Sequence, residues 1–253
     1  MEIRNQTEDK AELCFYGDIA SESWQSEWYE EDKCPKDILD FLNGLEGIKE
    51  IDVRINSGGG SVFGGIAIYN LLKSYGAKIT THIEALAASI ASVIACAGDR
   101  IIMYSNAAFM IHKPLTSYFY TSKNADDLRK DADLLDGCQK SILTSYMTKT
   151  KEGVTEETIN QLINDETWLW GDEVLQYFDF EIAESIDAAA CTSQYFNKYK
   201  NTQSNFKGSS FDDGTTNEVN IEEIAIKVLE KIENKKEQEI RNSILKDLDQ
   251  FGI

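Results

Sequence analysis

An α/β domain with crossover helices is the fold class this sequence predicts. Three observations predict it: short apolar segments alternate with amphipathic ones from Ala11 to about Ala190, the apolar segments end at turn residues, and the intervening segments carry apolar residues at helical spacing. At 253 residues and 42% apolar, the chain can bury one sizeable core and carry an appendage.

Glu12–Tyr16 and Ile51–Ile55 read as strands, and Val62–Tyr75 as a helix with Ile66, Tyr69 and Leu72 on one face. Ala77–Ile83 is a third strand, and Ser89–Ala97 a helix of small residues. Arg100–Tyr104 and Ala107–Ile111 are short strands on either side of a Ser105-Asn106 turn. A long amphipathic helix spans about Ser122 to Lys149, carrying Leu128, Leu134, Leu135, Ile142 and Tyr146. Shorter helices near Glu156–Ile163 and Gly171–Tyr177 lead into a last strand at Glu181–Ser185.

Beyond Cys191 the composition changes. Residues 192–220 are rich in Ser, Thr, Asn, Gln and Gly and read as a polar linker. Residues 221–253 form a helical extension with a narrow apolar stripe from Ile221 to Leu248, suited either to pairing with another chain or to standing as a marginal solvated helix. The expected organisation is a catalytic domain over 1–191, the linker and the extension.

Charge narrows the function classes. Lys and Arg number 25 against 44 Asp and Glu, a net charge of −19, which argues against nucleic-acid or anionic-membrane partners. No apolar run approaches the ~20 residues of a membrane span, and the first ten residues lack the apolar core of a secretory signal, so a soluble cytoplasmic protein is expected. Five cysteines, at least twenty residues apart, form neither a disulfide framework nor a zinc ribbon, and two histidines cannot build a His-rich metal site. Reduced thiols, no metal and no cofactor are the expectation.

Three patches carry chemistry. In Arg54-Ile-Asn-Ser-Gly-Gly-Gly-Ser61 a strand runs into three glycines and a helix. Backbone without Cβ atoms can turn sharply and present its N–H groups, as an oxyanion hole, as a phosphate cradle, or simply as a tight turn. It is not a Walker loop, because no Gly-Lys-Ser/Thr comes after it. In Ala85-Leu-Ala-Ala-Ser-Ile-Ala-Ser92 a serine opens a helix of small residues, fit either for a nucleophile or for an N-cap. Ser92, one turn on, is the rival nucleophile and the better candidate for packing. In Met110-Ile-His-Lys-Pro114 a histidine ends an apolar strand, poised as a general base near neutral pH or as a structural residue. His82, in mid-strand, is assigned to packing or surface.

Taken together, the three patches form a nucleophile, base and oxyanion set within sixty residues. The sequence resembles the Clp protease proteolytic subunit family (ClpP), and within it the phage and prophage head maturation proteases. Ile55-Asn-Ser-Gly-Gly-Gly-Ser-Val62, Ala87-Ala-Ser-Ile90 and Met110-Ile-His-Lys-Pro-Leu115 carry the family resemblance, over roughly Glu12 to Ile186. Gly17-Asp-Ile19, Ala67-Ile-Tyr-Asn-Leu-Leu, Ala95-Cys-Ala-Gly-Asp99 and Asp165-Glu-Thr-Trp168 carry the branch.

The resemblance implies a spiral of β-α-β units, as in ClpP and crotonases, with the long helix as a handle that packs subunits into rings. It implies a serine endopeptidase with Ser89 as nucleophile, His112 as base, and the Gly60 and Ile90 amides as the oxyanion hole. Glu166 is the implied acid, with Asp165 as the alternative; its task is to hold the His112 tautomer and stabilise the imidazolium. The implied substrate is a phage scaffold or capsid precursor protein. Gly58 departs from the family's usual proline and loosens the loop. The short N-terminal stretch lacks the segment that docks an unfoldase, so unfoldase-free action is expected. A housekeeping-like subunit working with an ATP-driven unfoldase, a crotonase-like acyl-CoA enzyme and a catalytically dead ring are the competing readings.

Overall fold

The computed structural model describes residues 9–26, 31–45, 47–118, 121–185, 199 and 201. The expected extension over 221–253 lies outside the described residues, as does the expected linker over 192–220 except for Tyr199 and Asn201.

The elements run β1 (Lys10–Phe15), α1 (Ser23–Ser26), α2 (Pro35–Asn43), β2 (Glu50–Ser57), α3 (Val62–Ser74), β3 (Lys78–Ala88), α4 (Ile90–Ala95), β4 (Arg100–Tyr104) and β5 (Ala108–Ile111). After these come α5 (Ala125–Met147), α6 (Glu156–Asn164), β6 (Thr167–Trp170), a 3₁₀ turn (Gly171–Gln176) and β7 (Glu181–Ala183). This is the expected mixed α/β fold with a parallel sheet. The described residues form one sheet in the order β1-β2-β3-β4-β7, all neighbours parallel; β5 adds to β3 in parallel and β6 to β5 in antiparallel.

Strand β3 organises the sheet. Its first half pairs with β4, from Thr80↔Arg100 to Ile83↔Met103, and its second half with β5, from Leu86↔Ala108 to Ala88↔Met110. It therefore runs to Ala88, five residues past its expected end at Ile83, because pairing on both sides overrides the weak strand preference of Ala-Leu-Ala-Ala.

Two further elements depart from expectation for similar reasons. The helix Pro35–Asn43 carries Pro at its first turn, a Cys34 and Asp37 capping box, and Ile38, Phe41 and Leu42 buried on one face. Thr167–Trp170, to which the sequence reading gives no element, is a strand because it pairs along the edge of β5.

The buried apolar residues form a large core cluster and a smaller one of Leu86, Ala88, Ala108, Met110 and Tyr199. Phe109 on β5 is fully buried and meets Tyr146, Phe178 and Phe180 edge-on at ring-centroid distances of 6.2, 5.3 and 5.2 Å. That aromatic cluster fixes β5, and truncating Phe109 to alanine should cost about 3–5 kcal/mol. Cys14, Cys34, Cys96 and Cys138 are free thiols; burial pushes the Cys96 thiol up to about 12, which leaves it inert. Among the described residues no helix is long and apolar enough to cross a membrane.

Candidate active site

The three chemical patches emerge together because they sit at the C-terminal ends of neighbouring parallel strands. β2 ends at Ser57 opposite Ala87 of β3, and Ala88 stands opposite Met110 of β5. The residues just past those ends are the glycine turn, Ser89 and His112. In open α/β sheets this edge is where ligands bind.

Ser89 lies between β3 and α4 with φ 56° and ψ −129°, and with Glu166 it is one of two non-glycine described residues at positive φ. Its N–H donates to the Met110 carbonyl at 2.9 Å, which locks this sharp elbow onto β5. The Ser89 hydroxyl and His112 Nε2 lie 2.7 Å apart, within bonding reach for proton transfer. The His112 residue is only 8% exposed, and burial drives its pKa down to about 4, against a small upward pull from Glu166. The imidazole is therefore neutral near pH 7 and open to accept a proton.

That burial has a measurable cost. An unfolded histidine takes up a proton near pH 6.5, and the folded His112 resists it until about 4, so stability falls as pH drops through that window, by up to about 3 kcal/mol. Urea denaturation at pH 7.5 and pH 5 should give a smaller loss in His112→Asn than in wild type. An equal loss in both would assign the acid lability to other groups.

The glycine turn is held from outside. Ile19 N–H donates to the Gly59 carbonyl and Ser61 N–H donates to the Ile19 carbonyl, both at 2.7 Å, while the Ser57 hydroxyl donates to the Gly17 carbonyl at 2.6 Å. With the groups flanking Gly60 committed to Ile19, strand alternation points the Gly60 N–H the opposite way. The Ile90 N–H, first in α4, has no acceptor within its helix. Ile90 directly follows Ser89 in the chain, and Gly60 lines the same groove as Ser89. A Cβ on Gly59 would stand 2.7 Å from the Ser89 Cβ, so only glycine lets the turn approach the serine this closely.

β6 runs antiparallel to β5 with Ile111 opposite Thr167, which sets Glu166 at the level of His112. Asp165 instead closes α6, and its carboxylate accepts from the Gln161 amide at 2.9 and 3.0 Å. Glu166 at φ 52° turns the chain into β6. Among the described residues its carboxylate is bonded not to His112 but to the backbone N–H of Asn201, at 2.5 Å to Oε1. The structure thus brings Ser89, His112, Gly60 and Ile90 together, sets Glu166 alongside, and directs Asp165 elsewhere.

Ser92 is fully buried: its hydroxyl donates to the Ser89 carbonyl and pairs with the Tyr146 hydroxyl at 2.6 Å, tying α4 to α5. Ser92→Ala should leave Ser89 reactive but cost about 1–3 kcal/mol, because the buried Tyr146 hydroxyl loses its partner. Urea unfolding together with active-site labelling checks both halves. His82 stands on the sheet face 3.5 Å from Asp52 and takes no part in the site.

A groove of 320 Å³ runs past the serine and histidine, lined by Gly60–Phe63, by Pro114–Ser117 and by Leu134, Leu135 and Cys138 of α5. Phe63, Leu115 and Leu134 are 62%, 43% and 54% exposed, an apolar rim fit for an extended polypeptide. Tyr199 lines the groove on the His112 side. It lies within a polar stretch, and only the cluster Tyr195-Phe196…Tyr199 there hints at burial.

The Clp protease family model matches residues 30–178. The chain is similar to the ATP-dependent Clp protease proteolytic subunit of Chara vulgaris, 34% identical over 115 residues that cover 45% of this chain and 52% of that protein. It is 28% identical over 149 residues to the subunit of the same name from Leuconostoc citreum, covering 54% of this chain and 68% of the relative. Against ATP-dependent Clp protease proteolytic subunit 2 of Tropheryma whipplei it is 30% identical over 146 residues, 57% of this chain and 77% of the relative. In the first of these the chain spans about half the relative's length.

Proposed function

Because the chain belongs to the Clp protease family, which matches more than half its length, we propose that it is a serine endopeptidase and that the groove binds an extended protein segment. Ser89 attacks a peptide carbonyl while His112 takes its proton. The Gly60 and Ile90 amides hold the oxyanion, His112 passes the proton to the departing amine, and water then releases the acyl group from Ser89 by the same route. Glu166 completes the set by orienting the imidazole. The observation that carries this reading is the 2.7 Å contact between the Ser89 hydroxyl and His112 at the strained elbow of β3.

The finer reading is a head maturation protease that cleaves phage scaffold or capsid precursor protein in the host cytoplasm or procapsid, without an unfoldase. Its support is the set of branch motifs, one of which, Gly17–Ile19, buttresses the glycine turn. The spiral fold with α5 as a handle between subunits belongs to the same proposal: Leu128 and Leu134 on that helix are 51% and 54% exposed, as a helix that packs copies into a ring requires. The names of the relatives favour a second reading, a proteolytic subunit of an ATP-dependent Clp protease.

Co-expression with the capsid and scaffold proteins of the same phage or prophage separates the readings. Processing by wild type and none by Ser89→Ala is the expected result. Processing that persists in the mutant discards the assignment, and processing only when an ATP-driven unfoldase is added selects the second reading.

A further inference from the structure

Tyr199 and Asn201 fall within the stretch whose composition reads as a linker, yet Tyr199 lines the groove and Asn201 bonds to Asp165 and Glu166 beside it. The Tyr199 ring, 3% exposed, is seated in an apolar recess formed by Leu86, Ala88, Ala108 and Met110 and flanked by Trp168 and Trp170. It meets the His112 ring edge-on, 4.9 Å between centroids, and its hydroxyl donates to the Gly58 carbonyl of the glycine turn. Asn201 clasps the acid from the other side. Its backbone N–H donates to Glu166 Oε1 at 2.5 Å, and its side-chain amide donates to the Asp165 and Glu166 carbonyls at 3.0 and 3.1 Å.

These contacts converge on the one weak leg of the catalytic set. The serine and histidine are in bonding reach, whereas the carboxylate of the proposed acid is committed elsewhere. A hydrogen bond from N–H to a carboxylate is charge-assisted and competes directly with any bond from His112. Deepening the peptidase reading and resting on it, we propose that Tyr199 and Asn201 are an intramolecular brake. Asn201 withholds the Glu166 carboxylate from His112 while Tyr199 pins the imidazole and the glycine turn, and release of these two residues completes the triad. Asn201 is thus a positioning residue that acts through Glu166. A purely supporting role for the same contacts requires the opposite sign, with activity falling when they are removed.

The test uses the full-length chain and the rate at which a fluorophosphonate probe labels Ser89, read by mass spectrometry. Asn201→Pro removes the backbone donor and the side-chain amide together; Asn201→Ala removes only the amide; Tyr199→Ala empties the recess. Asn201 is exposed, so its substitutions remove no core contact. Asn201→Pro should label at least about tenfold faster than wild type, a fraction of the ~10²–10⁴ that a positioned acid–base group contributes. Asn201→Ala should fall between the two, and Tyr199→Ala should also be faster. In the background of Glu166→Gln the gain should vanish, which a loosened structure alone would not produce. Equal or slower labelling of Asn201→Pro, or a gain that survives Glu166→Gln, overturns the brake and leaves the peptidase reading standing. Failure of every version to label Ser89 removes that reading and the brake with it.

Discussion

Ser89→Ala is expected to abolish both fluorophosphonate labelling and peptide hydrolysis, a loss of about 10⁶ in kcat by the measure of other serine peptidases. The reason is local. The hydroxyl is the one nucleophilic group at the elbow, His112 Nε2 is 2.7 Å from it, and the neighbouring Ser92 is buried and bonded to Tyr146. The same position makes a second forecast. A serine at φ 56° and ψ −129° stores backbone strain of order 1–3 kcal/mol, and alanine keeps that strain while glycine relieves it. Ser89→Gly should therefore be inactive yet melt above both wild type and Ser89→Ala. Equal melting temperatures for the two mutants would show that the elbow is unstrained.

Gly60→Ala should have the second-largest effect. Its φ is +147°, and an added Cβ would stand 2.2 Å from the Ile19 carbonyl oxygen and 2.7 Å from the Ile19 nitrogen. Both are backbone atoms in the two hydrogen bonds that anchor the turn, so nothing flexible can move aside. The turn must peel away from Ile19, taking the Gly60 N–H with it. Loss of one oxyanion donor costs about 10²–10³ in rate, and the strain and lost anchoring cost about 2–4 kcal/mol of stability. Parallel kcat and urea measurements check both. A folded variant with unimpaired kcat would remove Gly60 from the oxyanion hole.

The residues of the candidate site were legible in the sequence because their signals are short and local. Three glycines after a strand, a serine opening a run of small residues, and a histidine before a proline can each be read within ten residues. The relation between them was not legible, because it depends on which strands are neighbours. Ala88 opposite Met110 is what aligns Ser89 with His112, and that pairing lies in a stretch of β3 whose alanines give no strand signal. The choice between Asp165 and Glu166 was open for the same reason. Only the antiparallel edge of β6 sets Glu166 level with the histidine, while α6 keeps Asp165 for Gln161. The helix Pro35–Asn43 did have local signals, a proline start with Asp37 two residues on and apolar residues at helical spacing, and these suffice to mark it. Tyr199 was hidden by composition: polar neighbours average away one buried ring.

The division of labour around the groove has a consequence for how such a molecule can diversify. Ser89, His112 and the glycine turn sit just past strand termini whose alignment the sheet enforces. The residues that line the groove, Val62 and Phe63 together with Leu115 to Ser117, belong instead to the segments beyond those strands. Under the proposed peptidase function, selectivity can drift through this lining with no change to Ser89 or His112. Grafting new wall residues is accordingly the most economical way to retarget the protein.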